Sequence, residues 1–102
     1  MVSLERELKV ALKTGKIVFG SKEVLKLIGM GKGKLVIMAS NCPEFIKEHI
    51  KYYAKLSGIP IYYAPYTSKE LGEMCQRGHM VASLVVLDEG ESEILKLIEQ
   101  PG

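Results

Sequence analysis

The sequence predicts an α/β sandwich, and three observations predict it. Helix-like and strand-like segments alternate along the chain, the order from which α/β architectures are built. Leu35 to Ala39 are five consecutive apolar residues, a run that reads as a strand buried on both faces under helices. At 102 residues the chain suffices for one domain with a real core, and it shows no linker, internal repeat or low-complexity stretch.

Each element has its own justification. Ser3 is read as the cap of a first helix, with Glu5 and Glu7 placed for its dipole and Leu4, Leu8, Ala11 and Leu12 on one stripe. Thr14-Gly15 stops that helix, and Lys16-Ile17-Val18-Phe19 is a short strand ended by Gly20. Ser21 is read as the cap of a second helix that turns Val24, Leu27 and Ile28 inward. Lys22 and Lys26 are neighbours on its other face. Gly29, Gly31 and Gly33 turn the chain into the central strand.

Pro43 suits the first turn of a third helix, whose inward stripe is Ile46, Ile50, Tyr53 and Ala54 and whose stop is Gly58. Ile59 to Tyr63 is a third strand, with Pro60 near its start, where a missing donor is tolerable. Thr67-Ser68-Lys69-Glu70 spells a capping box ahead of a short helix, Leu71 to Cys75. Gln76 to His79 is a loop, Met80 to Leu87 an apolar fourth strand, Asp88-Glu89-Gly90 a turn, and Ser92 to Ile98 a last helix.

Composition narrows the function classes. Hydrophobic content of 47% and charged content of 25% are ordinary for a globular chain. No apolar stretch approaches the roughly 20 residues of a membrane span, and the first residues lack the apolar core of a secretory signal. Cys42 and Cys75 stand far apart in no pairing or zinc spacing, so free thiols in a cytosolic setting are expected. The net charge is +2 but uneven: residues 1–34 hold 8 Lys+Arg against 3 Asp+Glu, and the remainder hold 6 against 9. Such a basic first third reads either as a polyanion-binding face or as solvated lysines on helices.

Few residues suggest catalysis. His49 and His79 sit in different elements with no HxxH spacing, and Asp88 is the only aspartate, so no metal site, catalytic group or cofactor is expected. Cys42 ahead of Pro43 falls at a helix N-terminus, a place that can activate a thiol, or it is simply structural. Gly29-Met30-Gly31-Lys32-Gly33 is not a phosphate loop, because it follows a helix and opens a strand. Gly20-Ser21-Lys22-Glu23 has the opposite order, strand then glycine then helix, with free amides and a lysine for an anion. Asn41 also follows a strand, where open α/β sheets meet their ligands. Its residue type suits a base edge, a phosphate or a helix cap.

These residues carry a resemblance. Gly20-Ser21-Lys22-Glu23-Val24-Leu25-Lys26, then Gly33 to Ala39, then Asn41, resemble the RNA-binding signature of the ribosomal L-seven-Ae superfamily, whose members bind kink-turn RNA. Thr14-Gly15-Lys16-Ile17, Tyr52-Tyr53-Ala54, Leu56-Ser57 and Glu70-Leu71-Gly72 are most similar to its L-thirty-e branch, from the large ribosomal subunit of archaea and eukaryotes. The match runs from the first helix to about Ile94.

The resemblance implies a three-layer α/β/α sandwich with a four-stranded mixed sheet and a non-catalytic protein of the cytoplasmic ribosome. Its partners would be a kink-turn in ribosomal RNA and neighbouring ribosomal proteins, with no membrane and no small-molecule substrate. It implies RNA contacts from Gly20, Ser21, Lys22, Glu23 and Lys26, from Asn41, and from the loop spanning Gln76 to Met80 through Gln76, Arg77, Gly78 and His79, with His79 stacking on an exposed base. Lys22 stands where the superfamily at large has asparagine and the L-thirty-e branch often has lysine. Gln76 replaces a usual glycine, which bears on the path of the loop. Ile46 stands where some relatives carry a basic residue, with Lys47 beside it.

Lys16, Lys22, Lys26, Lys32 and Arg77 are expected to border one face, on which Lys22, Asn41 and His79 meet. Two other readings stay open: a non-ribosomal ribonucleoprotein component that binds the same RNA motif, and a small-molecule-binding or thiol-dependent α/β enzyme.

Overall fold

The computed structural model describes residues 3–99. Its elements are α1 (Leu4–Thr14), β1 (Lys16–Phe19), α2 (Ser21–Gly29), β2 (Leu35–Met38), α3 (Glu44–Ser57), β3 (Ile61–Tyr63), α4 (Ser68–Met74), β4 (Ser83–Asp88) and a closing 3-10 turn, Ile94–Glu99. The four strands form a mixed sheet in the order β1-β4-β2-β3. β4 runs antiparallel to both β1 and β2, and β3 runs parallel to β2.

Alternation along β2 divides the core. Leu35 and Ile37 face a layer built by α1, α4 and the 3-10 turn, where Leu8, Leu71, Leu84 and Ile94 are sealed from solvent. Val36 and Met38 face the layer of α2 and α3, with Val24, Ile28, Ile50 and Ala54. The continuous apolar run of β2 is thus a strand with helices on both faces, and the architecture is the expected three-layer α/β/α sandwich.

Several local expectations change. Ser3 occupies the N-cap of α1, but its side chain makes no capping bond. Gly20, not Ser21, is the N-cap of α2; it holds φ +96, open mainly to glycine, and Ser21 becomes the first helical residue. Gly29 belongs to the end of α2 rather than to the turn. Pro43 caps α3 instead of entering it. β3 starts at Ile61, and the Pro60 carbonyl accepts from the Val36 N–H on the way in.

The capping box at Thr67 and Glu70 forms as expected, and α4 starts at once, at Ser68. β4 starts at Ser83, so Met80 is exposed in the preceding loop and not part of a strand. The last helix is 3-10, a form suited to a piece this short. Tyr53, expected inside with Ile50 and Ala54, is 40% exposed.

Candidate functional site

Strand direction fixes which loops meet. β1, β2 and β3 point the same way and β4 the opposite way, so the exits of the first three strands share one end of the sheet with the entry to β4. Hydrogen bonds stitch those loops together. The Gly20 N–H donates to the Ser83 carbonyl (3.2 Å), and the Ser21 and Ser83 hydroxyls lie 2.9 Å apart. The Ala39 N–H donates to the Ala82 carbonyl, and the Ser40 N–H to that of Tyr66. The Val81 N–H donates to the Ser68 carbonyl.

Three groups of site candidates therefore gather at one end: Gly20 to Glu23 with Lys26, Asn41, and Gln76 to His79. Lys22, Glu23 and Lys26 are exposed and enter no ion pair among the described residues.

Asn41 does not cap α3, whose N-terminus has no side-chain cap. Its Oδ1 instead accepts the N–H of Ser68 at 2.8 Å. Ser68 opens α4, so this bond satisfies one of the unpaired donors at that helix start. It also fixes the amide's orientation: the oxygen is held inside the fold, and the NH2 group makes no hydrogen bond to the described residues. What Asn41 presents to solvent is a pair of donors, suited to a phosphate oxygen or a base acceptor.

The loop after α4 is shaped by two residues. Gln76 is the one non-glycine residue with positive φ among those described, at +57°, a backbone angle that favours glycine. Gly72 lies against the loop so closely that a Cβ would overlap the His79 carbonyl. Arg77 donates its backbone N–H to the Gly72 carbonyl, and its guanidinium sits 4.6 Å from the Phe19 ring centroid. His79 is exposed; its Nδ1 lies 3.1 Å from the Met80 carbonyl, a pure acceptor, so in that contact Nδ1 is the donor. Gly78, His79 and Met80 border a hollow of about 420 Å³ with Lys69, Glu73 and Arg77.

The expected five-residue basic face is wrong in two places. Lys16 begins β1 opposite Asp88, and Lys32 precedes β2, bonded through its N–H to the Leu27 carbonyl at the end of α2. Both stand at the far end of the sheet. Lys22, Lys26 and Arg77 remain at the near end.

One further residue stands at this end: Tyr63 ends β3 half-exposed, with the Lys47 ammonium 5.7 Å from its ring centroid, and like Asn41 it is at a strand exit. Met80, at the end of the 76–80 loop, is exposed beside His79.

An activated Cys42 does not survive either. Burial pushes its thiol up from the usual value, outweighing the pull of Lys47, and burial pushes Cys75 up to about 11. Neither thiol ionises readily near neutral pH. No group of three metal-ligating side chains occurs among the described residues, and none of the described helices is long and apolar enough to cross a membrane.

Known proteins resemble this chain in sequence and in fold. The chain is 52% identical over 99 residues to a Pyrobaculum islandicum protein named Large ribosomal subunit protein eL30, covering 97% of this chain and 98% of that one. A protein of the same name from Methanopyrus kandleri is 46% identical over 98% of this chain and 92% of its own length. A solved structure of a Bacillus halodurans protein of unknown function superposes with a TM-score of 0.82 over 98% of this chain and all of that one; its 23% identity speaks to the fold alone. Residues 3–96 match the Ribosomal protein L7Ae/L30e/S12e/Gadd45 family, and the chain belongs to that family.

Proposed function

We propose that this protein is a non-catalytic structural component of the large ribosomal subunit, working in the cytoplasm, and that it holds a kink-turn of ribosomal RNA at the end of the sheet where β1, β2 and β3 exit. Its full-length likeness to proteins named Large ribosomal subunit protein eL30 supports the ribosomal role. The observation that carries the RNA reading is the convergence of the α2 start, Asn41 and the 76–80 loop on one surface, tied through Ser83 and Ser68. A non-ribosomal role on the same RNA motif finds no support among relatives so named.

The surface divides its labour by chemistry. Lys22 and Lys26 meet phosphates, and the free α2 amides beside Gly20 and Ser21 add donors to an anion. Glu23, an acceptor with no ion-pair or hydrogen-bond partner among the described residues, takes hydrogen bonds from the amino groups of the sheared G·A pairs that define a kink-turn. Asn41 donates to the backbone or to a base edge. Arg77, braced on Phe19, adds charge, and the exposed ring of His79 covers an unstacked base, with Gln76 and Gly78 setting its approach.

The test is Glu23→Ala on two RNAs, a kink-turn and the same RNA with its G·A pairs disrupted. A large loss on the first and little on the second is expected. Equal losses on both would mean that Glu23 reads no base, and the recognition surface assigned to α2 would fall.

A further inference from the structure

We propose that the RNA surface continues past Lys26 into the hollow between α2 and α3, and that this hollow takes an unpaired nucleotide flanking the kink. The proposal rests on the kink-turn reading above. The hollow measures about 500 Å³ and is lined by Leu25, Lys26, Gly29, His49 and Tyr53. Lys26 belongs to both surfaces, one helical turn beyond Lys22.

The lining suits a nucleotide. It contains a cation and no carboxylate, so it favours an anionic group. It also contains two exposed rings, His49 and Tyr53, and base stacking on such rings tolerates any sequence. Tyr52 meets Tyr53 edge-on, with centroids 5.2 Å apart, which steadies the ring.

Gly29 is the remaining clue. It is the last residue of α2, and a Cβ there would meet nothing within 4 Å, so no packing contact with the described residues requires a glycine. The bare backbone it leaves at the hollow admits a ligand closely.

The chain has no tryptophan, so Tyr53→Trp gives a single indole reporter in the hollow. Binding is measured with a kink-turn whose flanks are fully paired and with the same kink-turn carrying unpaired adenosines beside the kink, on either strand. The second RNA should quench the indole and the first should not. Gly29→Leu, whose Cβ has open space, adds bulk at the hollow and should weaken the second RNA by about 5-fold or more and spare the first. If both RNAs bind tightly with no quench and no effect of Gly29→Leu, this proposal is overturned and the kink-turn reading stands. If the unaltered protein binds neither RNA, both are overturned. If Gly29→Leu spares both RNAs but frees the protein from large subunits in a high-salt wash, the hollow docks a neighbouring protein and the nucleotide proposal is overturned.

Discussion

At Asn41 one carboxamide faces two ways. Its oxygen takes the Ser68 N–H and holds the β2 loop to the start of α4, while its NH2 group has no partner among the described residues. The two ends can be separated by substitution. Asn41→Asp keeps an acceptor for Ser68 and places a negative charge at a helix N-terminus, where it is tolerated, but it replaces two donors with an anion. Thermal stability should stay close to that of the parent while affinity for kink-turn RNA falls at least tenfold. Asn41→Ala should lose both, with a stability cost of about 0.5–2 kcal/mol. Melting curves and RNA titrations on the two variants check this; an Asn41→Asp protein that binds normally would confine Asn41 to a structural role. From sequence alone Asn41 could be a helix cap or an RNA contact. The structure shows that it does cap a helix, one supplied by another part of the chain, which no local spacing could reveal.

Among the elements, β2 was the most legible. A run without alternation and too short for a helix reads as a strand covered on both faces, and Val36, Ile37 and Met38 are all fully sealed. Ile37→Ala should therefore cost about 2–5 kcal/mol, through lost burial and the cavity left beside Leu8 and Leu84. Urea denaturation measures it, and a loss well under 1 kcal/mol would contradict the packing of this strand. α3 was legible only by half. Its i, i+4, i+8 positions Ile46, Ile50 and Ala54 do turn inward, but Tyr53 lies off their axis, beside a second apolar strip of Phe45, Tyr52 and Leu56 that faces solvent. Periodicity reports that a helix has an apolar face; with two adjacent faces it does not report which one the sheet covers. β4 failed at its edge for a similar reason, since Met80 and Val81 are as apolar as the strand that follows.

For the molecule as a whole, charge location matters more than the net of +2. The sequence alone does not locate Lys16 and Lys32, because an end of a sheet is defined only once strand directions are known, and those directions come from long-range pairing with β4. The two lysines serve as controls. Lys26→Ala should reduce the salt dependence of RNA binding by about one unit or less of slope, whereas Lys16→Ala and Lys32→Ala, at the far end, should leave the slope unchanged. Titrations over a range of potassium concentrations decide it; equal effects at all three positions would mean diffuse attraction rather than a located surface. The insertion of β4 between β1 and β2 has one more consequence. As the chain emerges during synthesis, α2 and Asn41 are made before Ser83, the residue that ties the α2 start to the rest. The early segments hold much of the recognition chemistry but lack the strand that joins β1 to β2. The surface proposed to bind RNA is therefore complete only once β4 has paired with both β1 and β2.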